Sequence, residues 1–262
     1  NLSATGNVTL NDVATAGITL DTLEADANVI LTAAGNTAIT NDAALAMQGA
    51  VTGTLAATAT TGGITDSSNL SATGNVTLND VATAGITLDT LEADANVILT
   101  AAGNTAITND AALALQGAVT GTLAATATTG DITDSDTLTV SGASVFTLGA
   151  DGSNIILDSA ANAFSGAVTL KAGTSGGQTF GNIVFVDSGA IDFDSAASAD
   201  GDLFLDGGTD NTVGGTLAVT ATAGGITDSA TIAVTGDLTL NDVATAGITL
   251  DTLEADANVI LT

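Results

Sequence analysis

Short apolar runs alternate with polar residues in steps of two along this chain, as in Asn7-Val8-Thr9-Leu10, Gly17-Ile18-Thr19-Leu20, Asn28-Val29-Ile30-Leu31, Ala38-Ile39-Thr40, Gly53-Thr54-Leu55-Ala56 and Gly63-Ile64-Thr65. A period of two puts one set of side chains on one face of an extended strand, so the pattern predicts short strands. Thr, Val, Ile, Gly, Asn and Asp fill the stretches between and around these runs, and they are strand or turn residues rather than helix formers. One Ala-rich stretch, Asp42 to Gln48, is the place where a helical turn is expected.

The pattern also repeats. Residues 69–136 copy residues 1–68 with three changes, Met47 to Leu115, Gly63 to Asp131 and Ser68 to Asp136, and the unit begins again at Thr137 and at Thr231. Self-similarity at a fixed period marks a solenoid, whose units need only their neighbours for a core. Inside the unit a shorter period runs from Val8 to Val29 to Leu55, from Ile18 to Ile39, Ile64 and Ile86, and from Leu23 to Leu45, Leu70 and Leu91. These steps predict three coils per unit and three strands per coil. The expected fold is therefore all-β, a parallel β-helix (β-solenoid) with triangular coils of about 22 residues, about 11 to 12 coils in all, stacked at the inter-strand spacing of about 4.8 Å. Val8, Leu10, Ile18, Leu20, Leu23, Val29, Leu31, Ile39, Leu45, Leu55, Ile64 and their copies should point inward. Residues 1–262 are expected to be one continuous segment of a longer repetitive protein, with units at 1–68, 69–136, 137–230 and 231–262. The third is 26 residues longer than the first, room for one extra coil, and holds all six phenylalanines and Lys171.

Charge narrows the function. The chain has 29 acidic residues against one lysine, with no Arg and no His, and such a field repels nucleic acid phosphates and anionic lipids. Neither nucleic acid nor membrane insertion is expected, and no apolar run approaches the roughly 20 residues that cross a bilayer. With 45% apolar residues the chain has the means to bury a core that charge-rich disordered segments lack. Without His or Cys the common triads and thiolate nucleophiles are ruled out. Paired carboxylates can cleave glycosides, which keeps a β-helical polysaccharide lyase as a remote alternative. The acids recur with the unit, however, whereas an active site is a single constellation, so no enzyme is expected.

The acids nevertheless follow a rule. An aspartate ends the second strand of nearly every coil: Asp21, Asp42, Asp66, Asp89, Asp110, Asp134, Asp158, Asp228 and Asp251, with Asp187 and Asp206 in the longer unit. Stacked coils would line these up as a column along one corner. Each carboxylate could accept its own turn's backbone N–H groups, or Ca²⁺ could bridge them, since hard cations gather carboxylate oxygens. The densest calcium candidate is Asp192, Asp194, Asp200, Asp202 and Asp206; no other cofactor is expected. The phenylalanines could form a sugar-stacking platform or a core ladder, and burial is the commoner fate of Phe. Thr58-Ala59-Thr60 and Thr220-Ala221-Thr222 occur too rarely for an ice-binding rank, and the sequons at Asn1, Asn7, Asn69 and Asn75 suit glycosylation only in a glycosylating host.

The run from Gly62 through Asp66, Leu70 and Thr73 to Leu78, with Gly224 to Leu240 as its second instance, resembles the repeats of giant filamentous-haemagglutinin-like adhesins of the bacterial two-partner secretion type. That resemblance implies a right-handed β-helix, secreted to the extracellular space or cell surface, acting in adhesion, aggregation or matrix. Two readings stand. One is a structural shaft, a rod or filament able to self-associate end to end or side by side. The other is a carbohydrate- or protein-binding adhesive module centred on residues 137–230, whose ligand would be a polysaccharide or cell-surface protein.

Overall fold

The computed structural model describes residues 1–173, 178–194, 201–207, 209–210 and 212–262. Its described residues form strands and short connections, with no helix. The chain divides into two compact units, residues 1–123 and 124–262. Each is a parallel β-solenoid, and the chain makes about 12 turns in all.

In the first unit thirteen strands follow one another: β1 (Leu2–Ala4), β2 (Val8–Asp12), β3 (Ile18–Ala25), β4 (Val29–Ala33), β5 (Thr37–Asn41), β6 (Leu45–Val51), β7 (Leu55–Ala59), β8 (Ile64–Ala72), β9 (Val76–Asp80), β10 (Ile86–Ala93), β11 (Val97–Ala101), β12 (Thr105–Asn109) and β13 (Leu113–Val119). Odd-numbered strands pair in order to make one sheet and even-numbered strands make the other. A coil is thus one odd and one even strand. The predicted helical turn over Asp42–Gln48 is replaced by β6, because Leu45, Met47 and Val51 are buried between neighbouring coils and that packing overrides weak local preference.

Register corrects the coil arithmetic. Val29 pairs with Val8 and with Met47 rather than Leu55, steps of 21 and 18 residues. Ile18 faces Thr37, while Ile39 faces Leu20, and Leu45 faces Ile64, leaving Leu70 to Gly49. The Ile64–Ile86 and Leu70–Leu91 pairs are as expected. Thr37, Met47 and Gly49 hold inner register positions that a search for Val, Ile and Leu passes over, which is why those steps read too long. One consequence reaches every surface position. Between β2 and its copy β9 lie seven strand steps, an odd number, so the repeat spans about three and a half coils and its copies fall on opposite sheets.

The core is an apolar ladder. Leu23, Val29, Leu31, Ile39, Leu45, Leu55 and Ile64 are buried, and Val8 nearly so. Leu10, Ile18 and Leu20 are only half-buried, whereas their copies Leu78, Ile86 and Leu88 are fully buried between coils on both sides. Thr37 and its copy Thr105 are also buried, and neither hydroxyl oxygen has a hydrogen-bond partner. A buried hydroxyl without a partner costs about 1–3 kcal/mol. Thr105→Val, which keeps the shape, should therefore stabilise the first unit by about 1 kcal/mol, read as a higher urea midpoint.

In the second unit the three-sided coil appears outright. Leu217–Ala221, Ile226–Asp228 and Ile232–Val234 lie on three different sheets, the third being Thr212–Val213, Ile232–Val234 and Leu253–Ala255. Ile226–Asp228 and Ile232–Val234 correspond to the two ends of β8, whose register shifts near its middle. A side that folds at a corner in the second unit is one bulged strand in the first. The 26 additional residues of the longer repeat enter differently from a simple coil. Asp202–Gly207 inserts out of chain order between Val168–Ala172 and Ile191–Phe193, and steps on the opposite sheet lengthen, from Ile155 to Ile183 and from Ile183 to Leu217. Phe146, Phe164, Phe180, Phe185 and Phe193 are buried, with Phe164 edge-on to Phe146 at 5.9 Å and stacked on Phe185 at 5.3 Å. Phe204 alone of the six is half-buried.

Candidate functional site

Asp and Asn side chains at the bulges and turns of the coils make inter-coil hydrogen bonds. The aspartates do not form a single column. Asp21 lies on β3 and its copy Asp89 on β10, opposite sheets of the first unit, as the half-integral coil count requires. Stacked pairs form instead. The Asp89 N–H donates to Asp66 Oδ1 at 3.0 Å and the Thr90 N–H to Asp66 Oδ2 at 2.6 Å. Likewise the N–H groups of Asp158 and Ser159 donate to Asp134 at 3.0 and 2.9 Å, and those of Asp251 and Thr252 to Asp228 at 2.5 and 2.9 Å. Each carboxylate thus caps the following coil, not its own turn. Asp21 and Asp42 share a shallow cleft with Glu24 and Thr40, and Asp42 and Asp110 donate their N–H groups to the carbonyls of Leu23 and Leu91.

Asparagine does the same work. Asn36 Oδ1 accepts the Thr54 N–H and Asn104 Oδ1 that of Thr122, both at 3.0 Å. In the second unit Asp131 accepts from Asn154, Asn154 from Asn182, and Asn182 from Thr216, at 2.8, 2.7 and 2.9 Å. The continuous column of the second unit is therefore one of Asx side chains, acidic only at its first member. In every one of these bonds the side-chain acceptor belongs to the earlier coil and the N–H to the later one. Two sequon asparagines, Asn7 and Asn75, accept the N–H groups of Asn28 and Asn96 in the same way.

Asparagine also works inside. Asn41, Asn109 and Asn162 are fully buried. The Ala25 N–H donates to Asn41 Oδ1 at 2.9 Å, and Asn41 Nδ2 donates to the carbonyls of Ala25 and Ala44; Asn109 repeats this with Ala93 and Ala112. Sequence reading passed over these residues, although Ile39-Thr40-Asn41 puts an amide at an inward parity. A different device closes the five-residue connections: Asp12 accepts the N–H groups of Ala14 and Gly17, and Asp242 those of Ala244 and Gly247.

The described acids of the longer repeat take different partners. Asp206 pairs with Lys171 at 3.0 Å. Asp192 accepts the hydroxyls of Thr227 and Ser229 and neighbours Asp202 in register, while the Asp194 N–H donates to the Leu203 carbonyl. Asp200 lies outside the described residues. Among the described residues no group of three or more acids is arranged to hold a metal ion, and no helix is long and apolar enough to cross a membrane. Thr58 stands beside Thr40 and Asn79, so the threonines form no regular rank.

Asp151 is exposed and receives both the N–H and the hydroxyl of Thr179. The Thr179 N–H first, then its hydroxyl, hold the Asp151 carboxyl below its ordinary value of 3.8. A depressed folded-state value means the contribution is complete above that ordinary value and disappears as pH falls through the folded one. Asp151→Ala should therefore lower the melting temperature slightly at pH 7, and the gap from the parent chain should close below about pH 3.8.

Neither the curated proteins nor the solved structures contain a match to this chain. One family model matches residues 102–171 and 180–262, together more than half of the 262 residues. The solenoid of near-identical units whose coils are tied by Asn and Asp belongs to the family described as repeats of unknown function (DUF5649).

Proposed function

We propose that this chain is a structural repeat, the shaft of an extracellular or cell-surface fibre in which uniform coils set length and stiffness while another region binds. The single observation that supports it most is where the polar side chains are spent: Asn and Asp at bulges and turns accept backbone N–H groups of the next coil in both units. Such chemistry extends a stack and asks for no ligand. The fold and the repetition support a filamentous-haemagglutinin-like adhesin or matrix fibre as the setting. Five of the six rings that an adhesive sugar platform would need are in the core, which favours the shaft over the binding module.

Electron microscopy of the native particle tests the proposal. A long fibre about 20 to 30 Å wide, the width of a coil with sides of about five residues, supports it; a compact globule ends it. Labelling of intact cells with an antibody to these repeats tests the extracellular setting separately. Calcium enters as a second measurement. Because the lower carboxylate of each stacked pair, Asp66, Asp134 or Asp228, already accepts two N–H groups, a chelator should leave the melting temperature unchanged, and a clear drop would show that the acids bridge cations.

A further inference from the structure

Residues 2–33 and 70–101 are identical, and they make the same inter-coil contacts twice within the first unit. Leu2, Ser3 and Ala4 pair with Leu23, Glu24 and Ala25, and Val8–Asp12 with Val29–Ala33. Leu70, Ser71 and Ala72 pair with Leu91, Glu92 and Ala93, and Val76–Asp80 with Val97–Ala101. A coil that presents β3 and β4 would therefore find on β8 and β9 the same partner, residue for residue, that it has in its own place. Between β9 and β10 runs a five-residue connection, residues 81–85, in which Val81 is 54% exposed and Thr83 holds a left-handed φ of 62°. A β-branched residue there is strained, and strained short connections are where chains open and exchange.

We propose that this interface also forms between molecules: the β3–β4 coil of a second copy docks on the β8–β9 coil of the first, with the connections at 81–85 of the first and 13–17 of the second opened and the freed β1–β2 and β10–β11 coils pairing with each other. Exchange of an identical element replaces each lost contact with the same contact in trans, so its cost is confined to the opened connections and to bringing two like-charged chains together. With a net charge of −28 on each chain, the second term dominates at low ionic strength and fades at 1 M salt, where screening acts within about 3 Å. The consequence is a splice: repeat proteins joined by their own coils, out of register by one repeat, with no dedicated docking face.

The chain has no cysteine, which makes the test direct. In one molecule Ile30 is flanked in register by Thr9 and Gln48, and Thr77 by Ala56 and Ile98; positions 30 and 77 become register partners only across the exchanged interface. The double variant Ile30→Cys/Thr77→Cys is unfolded in urea, refolded in 1 M salt at low and high protein concentration, and oxidised. Thr77→Cys/Ile98→Cys serves as the control that the geometry closes within a monomer. The expected result is a dimer joined between position 30 of one chain and position 77 of the other, its share rising in proportion to concentration while it is small. Three results would overturn the proposal: free thiols at every concentration while the control closes, a statistical mixture with 30–30 and 77–77 links, or a 30–77 link inside one chain.

Discussion

Replacing Gly117 with alanine should cost the first unit about 3–5 kcal/mol, the sum of left-handed strain and overpacking that the site cannot relieve. Gly117 sits at φ 110° in β13, opposite Leu99 of β11, and a Cβ there would lie 2.1 Å from the Leu99 carbonyl oxygen. That oxygen belongs to a strand held on both sides by other coils, so the obstacle is backbone rather than a side chain free to swing away. Gly49 repeats the geometry against Leu31, with φ 109°, and Gly49→Ala should behave alike. The measurement is the urea midpoint by circular dichroism, with amide exchange at residues 97–101 as the local readout, because a stack of coils need not unfold in one step. Gly6→Ala, which meets nothing within 4 Å, should change the midpoint by less than about 0.5 kcal/mol equivalent. A Gly117→Ala midpoint equal to the parent's would mean that the strand can bulge away and the argument fails.

Gly49 also shows why the sequence was legible only to a point. Period-two alternation of Val, Ile and Leu sufficed for short parallel strands stacked as a solenoid, because a strand buried on one face must alternate. The coil length did not follow from it. Where Thr37, Met47 or Gly49 takes an inner register position, an apolar template skips a rung, and coils of 18 or 19 residues are read as 21 to 26. From that one misstep came the expectation of a continuous acid column, since three whole coils per repeat would bring Asp21 and Asp89 to the same corner and three and a half bring them to opposite sheets. The aspartates read as turn residues in the sequence, whereas Asp21, Asp66 and Asp89 lie within the bulged strands β3, β8 and β10. Which N–H they serve was not readable, because a turn and the turn above it carry the same Asn, Asp and Gly composition. In the longer repeat, the out-of-order insertion of Asp202–Gly207 between Val168–Ala172 and Ile191–Phe193 leaves no mark in local pattern at all: pairing order is decided by tertiary packing.

The inward asparagines are the strongest case of chemistry hidden by a pattern, and Asn109→Leu should cost about 3–5 kcal/mol although leucine is close in size and prefers the core. β10 spans Ile86–Ala93 while its partner β12 ends at Asn109, with a register shift before Leu91 meets Asn109. Beyond that pair the following strand offers Ala93 no peptide group. The Asn109 side chain supplies one: its Oδ1 takes the Ala93 N–H at 2.8 Å and its Nδ2 gives to the carbonyls of Ala93 and Ala112 at 3.1 and 2.7 Å. Leucine would strand the N–H and carbonyl of Ala93, which is 3% exposed, while the carbonyl of the exposed Ala112 turns to water; each orphaned buried group costs about 1–3 kcal/mol, less than additively when they share a site. Asn109→Asp separates this account from a packing one, because the carboxylate keeps the acceptor but loses both donors and faces two carbonyl oxygens. It should be at least as damaging as leucine at pH 7 and partly recover in acid, where a protonated carboxyl regains one donor. Asn41→Leu should match Asn109→Leu, and the two losses should add, since the residues share no partner. Amide exchange at Ala93 is the decisive readout: accelerated exchange with a lowered urea midpoint is expected, and a leucine variant as stable as the parent, with Ala93 still protected, would show that the amide merely fills space.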